Sequence, residues 1–274
     1  MTPRRLRIAC LQLNAGAGWE DNLKKILRQT DRALGGHADL IALPENFSWR
    51  GKPENFFQFA HEVSPRIIRL FREIARESNV AFLLGSILLP SARKNRFYNT
   101  SILISEKGRV AAHYHKIHLF DIALKGKVRA KESDCICPGR RVVSGDVRGV
   151  RMGLSVCYDV RFPELYRRLA EKGCRLIFVP ANFTAVTGAA HWEVLLRARA
   201  IENQVYIVAP AQTGVHPVTG IKSFGTSLIV DPWGRVVQRA GRDGEEILLA
   251  DLDFEAQDRL GREFPVLAHR RIKG

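Results

Sequence analysis

"GVRMGLSVCYDVRFPELYRRLAEK" (residues 149–172) decides how the chain is read. Gly149 to Val156 alternate roughly as a strand does. Pro163 to Lys172 read as a helix, with a proline near its start, Glu164 in its first turn, and Leu165 and Leu169 four apart. Cys157 therefore falls at a strand-to-helix turn. A thiol near a helix N-terminus feels positive potential, which favours the thiolate. A small buried hydrophobe is the plainer role for a free cysteine.

The same alternation continues on both sides. "RLRIACLQL" (5–13) reads as a strand. "WEDNLKKILRQTDRAL" (19–34) has helical spacing at Leu23, Ile26, Leu27 and Leu34. "ADLIALPE" (38–45) is a buried strand that stops at Pro44. "SPRIIRLFREIARES" (64–78) predicts a helix with Ser64 as N-cap and Pro65 at its first position. "VAFLLGSILL" (80–89), "CRLIFVPA" (174–181), "VYIVAPA" (205–211) and "EEILLADLD" (245–253) are further strands, and "AHWEVLLRARAIENQ" (190–204) is a helix. Residues 97–116 read as a hairpin over Glu106-Lys107-Gly108, and residues 224–240 as one turning at Asp231-Pro232-Trp233-Gly234. Strands and helices that alternate in this way predict an α/β layered fold with mixed sheets. No linker or repeat divides residues 1–274, which read as a single domain.

Composition narrows the function classes. With 274 residues and 46% apolar residues the chain can bury a large core. The basic N-terminus is followed by an apolar run too short for a secretory signal, and no stretch approaches the ~20 apolar residues of a membrane span. Five scattered cysteines fit a reducing cytoplasm, and Cys135-Ile136-Cys137 lacks a second pair to complete a zinc site. The net charge of +15 raises nucleic-acid binding. The basic residues are spread along the chain, however, and no RNA- or DNA-binding signature accompanies them, so a basic, solvated surface is the simpler account.

Ionisable residues follow three apolar strands. Glu45 comes after "LIALP", Lys116 after "VAAHYH", and Cys157 after "GVRMGLSV". The C-terminal ends of strands are where α/β folds place their sites. A thiol that attacks a carbonyl needs a base, and its transition state needs positive charge at the oxyanion. His113, His115 and His118 cluster near Lys116 without a matching ligand pattern, so they are expected to pack around the lysine, not to hold a metal.

The chain resembles the nitrilase superfamily of carbon–nitrogen hydrolases over nearly its whole length. "LPEN" (43–46), "HKIHLFD" (115–121) and "CYDVRFPELYR" (157–167) are similar to the family's glutamate, lysine and cysteine motifs, and Glu132-Ser133 to the site of an additional glutamate. "TGAAHWEVLLRARAIENQVYIVAPAQTG" (187–214), "DPWGRVV" (231–237) and "FPVLAHRR" (264–271) resemble the Nit branch. Thr226 departs from it, standing where the branch commonly has histidine. The resemblance implies a four-layer αββα sandwich and hydrolysis of an amide through a Cys157 thioester. Glu45 would be the base, Lys116 and the Tyr158 N–H the oxyanion donors, and Glu132 the residue orienting Lys116. It implies no metal and no cofactor. Arg161, Asn182 and Phe183 are candidate substrate-binding residues with Tyr158. A substrate carboxylate would meet Arg161, Lys127, Arg129 or Lys222. Asp159, Arg161 and Glu164 equally fit an ion-pair network fixing the turn.

The substrate class implied is a small carboxylate-bearing amide of the deaminated-glutathione type. The alternatives are an ω-amidase acting on α-ketoglutaramate or α-ketosuccinamate, a nitrilase or carbamoylase, and a catalytically silent binding member. A cytoplasmic homodimer is implied, pairing through the helices that carry Leu165, Tyr166 and Leu169 and Trp192, Leu195 and Leu196.

Overall fold

The computed structural model describes residues 3–126 and 128–272. In chain order the elements are β1 (Arg5–Gln12), α1 (Trp19–Gly35), β2 (Leu40–Ala42), α2 (Ser64–Ser78), β3 (Ala81–Pro90), β4 (Phe97–Ile104), β5 (Val110–His115), β6 (Asp121–Leu124) and β7 (Val128–Lys131). They continue with β8 (Ser144–Val147), β9 (Val150–Leu154), α3 (Pro163–Glu171), β10 (Leu176–Phe178), α4 (Ala185–Asn203), β11 (Tyr206–Ala209), β12 (Leu228–Val230), β13 (Val236–Arg239), β14 (Glu246–Asp253) and α5 (Phe254–Glu263). One six-stranded sheet has the order β14-β1-β2-β3-β4-β5, and a second has β13-β12-β11-β10-β9-β8. Each is mixed: β1, β2 and β3 are parallel, as are β9, β10 and β11, and antiparallel strands flank both sets.

Period-two alternation explains the layering, because successive side chains leave a strand on opposite faces. In the first sheet Ile8, Cys10, Leu40, Ala42 and Leu83 join an apolar cluster with Met152, Leu154 and Phe178 of the second sheet. Their neighbours Ala9, Leu11, Ile41 and Phe82 join Ile26 of α1 and Phe71 and Ala75 of α2 in a separate cluster. Leu165 and Leu169 of α3 and Trp192 and Leu196 of α4 cover the second sheet. The result is the four-layer αββα sandwich. Strands buried on both faces read as unbroken apolar runs, which is why "LIAL" and "LIFV" show no polar alternation.

Several sequence expectations need correction. Ser64 is not an N-cap. A π-type turn over Phe59–Val63 feeds directly into α2, and the Ser64 hydroxyl donates instead to the Leu88 carbonyl at 2.7 Å. α4 begins at Ala185, five residues before the expected start at 190. Its extra turns contain Gly188, where a Cβ would stand 2.2 Å from the Phe224 ring, so close packing there requires glycine despite its poor helix propensity. The β6–β7 hairpin and β8 carry no strong apolar period, and α5, which buries Phe254 and Gln257 on one face, was not expected from the sequence.

The proposed interface residues also fail. Leu165, Tyr166, Leu169, Trp192 and Leu196 are all buried against their own sheet, leaving only Leu195 half-buried. The helical stripes therefore report the core of this chain.

Candidate active site

Four strand ends and one strand interior converge on one buried cluster. Glu45 follows β2 through Leu43 and Pro44. The Leu43 amide still bonds to the Leu83 carbonyl at 2.9 Å, so the glutamate leaves the sheet as the strand ends. A neighbouring bulge in β3 brings Gly85 against the Leu43 carbonyl, where a Cβ would lie only 1.7 Å away. Lys116 follows β5. Its backbone is held on both sides, the amide donating to Asn99 O at 2.9 Å and the carbonyl accepting from Gly139 N at 2.8 Å.

Cys157 opens a 3-10 turn over Cys157–Arg161 after β9. Its φ of 49° is in the left-handed region, costly for a residue with a Cβ. The Cys157 amide donates to Pro180 O at 2.8 Å, and the Val156 amide to Asp159 Oδ2 at 2.8 Å, which over-determines the turn.

The Lys116 ammonium lies between two carboxylates, 3.0 Å from Glu45 Oε1 and 2.8 Å from Glu132 Oε2. The lysine side chain is 2% exposed and that of Glu45 5%. Burial alone would push the ammonium down. Glu132 and then Glu45 outweigh it and hold Lys116 well above the ordinary lysine value, so it stays charged. Burial and then the Glu45 charge push the Cys157 thiol well above its ordinary value, and Lys116 offsets only part of this. These influences run against the thiolate that a helix N-terminus would favour. Desolvation and a facing carboxylate exceed the field of one short turn.

Sequence reasoning missed Asn99. Its Nδ2 donates to Glu45 Oε1 and to Glu132 Oε1, both at 3.0 Å, and so ties the two carboxylates together. A polar residue inside the apolar strand "FYNTSILI" was the available signal. The Asn182 amide donates to Glu45 Oε2 at 2.7 Å, and the Phe120 amide to Glu132 Oε2 at 2.8 Å. Arg50, also missed, is buried with neutral partners. It reaches Ser223 Oγ at 3.2 Å, which in turn donates to Asn182 Oδ1 at 2.6 Å. Burial pulls the Arg50 guanidinium down to about 10.

Asp159 does fix the turn, but its partners differ from those expected. Tyr114 OH donates to Oδ2 at 2.7 Å, and the amide and Nδ1 of His118 lie 3.0 and 2.7 Å from Oδ1. The three histidines are not gathered on Lys116: His118 stacks on Phe162, and His115 on Tyr98.

A cavity of about 320 Å³ opens onto the cluster, with Glu45, Lys116, Glu132 and Cys157 in its lining. Tyr158, Asn182 and Phe183 also line it. Arg161 does not. Its guanidinium lies over the rings of Tyr158 and Phe183, 5.5 and 5.0 Å from their centroids, and meets His191 Nδ1 at 3.1 Å. Among the other basic candidates, Lys222 pairs with Asp243 and is not in the lining, Lys127 lies outside the described residues, and Arg129 lines the cavity. Thr226 is absent from the lining as well. It takes a left-handed φ of 55°, and its carbonyl accepts from Trp192 Nε1. The departure at this position therefore acts on the packing behind the site.

A basic, desolvated cation beside a thiol and a carboxylate suits attack on a carbonyl and stabilisation of the resulting oxyanion. Residues 7–260 match the carbon-nitrogen hydrolase family. A deaminated glutathione amidase of Synechocystis is 37% identical over 96% of this chain and 97% of its own. An omega-amidase of Mus musculus is 35% identical over 97% and 95%. A mutant amidase from Nesterenkonia sp. AN1, solved with the acetamide moiety of fluoroacetamide added covalently at its active site cysteine, superposes with a TM-score of 0.81 at 28% identity, over 99% of this chain and 96% of that one. Fold, site and sequence together make this chain a member of the carbon-nitrogen hydrolase family.

Proposed function

We propose that the protein is a thiol amidase that releases ammonia from a small carboxylate-bearing amide, with Glu45, Lys116 and Cys157 as its catalytic residues. The observation that carries this reading is the lysine held between two carboxylates, with the buried thiol of Cys157 beside them in the lining of one cavity. A protonated thiol needs a base at the moment of attack, and Glu45 faces it. Glu45 takes the proton as the sulfur bonds to the amide carbon. The oxyanion is met by the Lys116 ammonium and by the Tyr158 N–H, an amide in the first turn after Cys157. Glu45 returns the proton to the nitrogen, the C–N bond breaks, and ammonia leaves a thioester. Water then gives a proton to Glu45 and attacks the thioester carbon. The carboxylic acid departs as the proton returns to sulfur. Glu132 holds Lys116 in place throughout.

For the substrate carboxylate we assign Arg129. It lines the cavity and has no ion pair among the described residues, whereas its neighbour Lys131 is paired with Asp134 at 2.8 Å. A guanidinium fork matches a carboxylate bidentately. The deaminated-glutathione type is favoured by the resemblance of residues 187–214 and by the similarity to the Synechocystis enzyme, with an ω-amide as the second reading. The five cysteines are unpaired, which supports placement in a reducing cytoplasm. Among the described residues no helix is long and apolar enough to cross a membrane. A homodimer would use the outer face of α4, where Val194 and Ile201 are exposed seven residues apart, near Trp233 of the β12–β13 hairpin.

Four measurements test this reading. Ammonia release from a panel of amides should vanish in Cys157→Ala. It should fall at least about a hundredfold in kcat in Lys116→Ala, the loss typical of one oxyanion donor; near-normal kcat would remove Lys116 from the chemistry. Alkylation of Cys157 by iodoacetamide should keep accelerating as pH rises past the ordinary thiol value of 9.0, because the thiol is raised. A plateau at neutral pH would mean a preformed thiolate. A carboxylate-bearing amide should exceed its methyl ester by about tenfold in kcat/KM, the value of a charge-assisted hydrogen bond near 1.5 kcal/mol, and Arg129→Ala should erase that preference. Equal rates for acid and ester in the unaltered protein would count against a carboxylate substrate. Light scattering should give twice the 30.9 kDa chain mass, and Val194→Asp should halve it; a monomer at micromolar concentration rejects the dimer.

A further inference from the structure

A second cavity, of about 610 Å³, lies away from the catalytic cluster where β5 and β8, the outer strands of the two sheets, approach each other. Its size falls within the usual range for small-ligand sites, roughly 300–1,000 Å³. Arg93, Arg140 and Arg141 line it, and no aspartate or glutamate does. Among the described residues none of the three makes an ion pair. Three guanidinium groups around one concavity, uncompensated by any acid in its wall, are an electrostatic trap for an anion.

The wall also carries a flat aromatic surface. Tyr98 and His115 stack with ring centroids 4.0 Å apart and an interplanar angle of 17°, and His113 lies beside them. Burial and then His113 pull His115 down to about 4, so at neutral pH it adds a ring and not a charge. Thr100 Oγ1 fixes that ring through Nδ1 at 2.8 Å. The cavity thus combines a fixed ring pair with three unpaired forks. The arginine-bearing segment is itself anchored to the active-site scaffold, since the Gly139 amide donates to the Lys116 carbonyl.

We propose that this cavity is a second ligand site, taking a polyphosphate anion, either free or as the phosphate chain of a nucleotide. One carboxylate would leave most of the positive charge unbalanced. A di- or triphosphate offers three or four negative charges and several oxygens for bidentate contact.

The test is calorimetric titration of the Cys157→Ala protein at fixed ionic strength, so that the result does not depend on turnover or on the amidase reading. Inorganic pyrophosphate and ATP are the probes. Saturable binding at one site per chain is expected, weakened at least about tenfold in the Arg140→Ala/Arg141→Ala double variant, in line with the loss of charge-assisted contacts. Arg93→Ala gives an independent check from another loop. Both positions are exposed, and an unchanged thermal melt confirms that the variants are folded. ATP binding that exceeds pyrophosphate binding and falls in Tyr98→Ala assigns a nucleotide. Equal binding of the two assigns free polyphosphate. No saturable binding of either probe, binding indifferent to the arginine variants, or several weak sites per chain would overturn the proposal.

Discussion

The buried ammonium of Lys116 is the constraint around which the rest of the site is arranged. Burying an unpaired ammonium costs several kcal/mol, and one carboxylate placed close repays this only with good geometry. Here two carboxylates approach within 3.0 Å, which satisfies the lysine and creates a second problem, a buried excess of negative charge. Three neutral donors answer it: the Asn99 amide shared by both glutamates, the Asn182 N–H on Glu45 and the Phe120 N–H on Glu132. Each donor comes from a different segment, so the polar cluster works as a cross-brace between the sheets. Burial, and then the Glu45 charge, push the nearby thiol above its ordinary value.

Holding the thiol at the right place requires a second brace. Asp159 is fully buried and bonds to Tyr114, His118 and the Val156 amide. Tyr114 OH also accepts from the Ile117 amide at 3.2 Å. The segment that carries Lys116 and the turn that carries Cys157 are thereby joined through one carboxylate, two residues from the thiol on one side and two or fewer from the lysine on the other. The unfavourable left-handed backbone at Cys157 persists because these bonds leave it no alternative.

What the sequence made legible follows from what periodicity measures. The central strands, buried on both faces, are dense apolar runs and were readable to within a few residues. Glu45, Lys116 and Cys157 stood out because an ionisable group ends each run. Asn99 and Arg50 did not, because a polar residue within a strand or loop has no periodic signature; only the meeting of distant segments gives it a role. The β6–β7 hairpin is too exposed to be patterned. The interface expectation failed for a related reason. An apolar stripe on a helix marks burial, and α3 and α4 spend theirs on their own sheet.

The two glutamates divide the labour because their surroundings differ. Glu132 is the more exposed, at 17% of its side chain against 5% for Glu45, and sits in a short 3-10 turn after β7. Its contacts with Lys116, Asn99 and the Phe120 amide do not involve the thiol, which suits a group that keeps its place. Glu45 alone faces Cys157, and its oxygens are differently engaged: Oε1 meets Lys116 and Asn99, Oε2 a single backbone N–H. Oε2 therefore has lone-pair capacity left for a proton. In the proposed mechanism Lys116 keeps Glu132 as a counter-charge when Glu45 is protonated, so the ammonium remains in position for the oxyanion. A site with one glutamate would leave its lysine unpaired at the moment the base is protonated. In that mechanism the second carboxylate is what allows the first to move a proton.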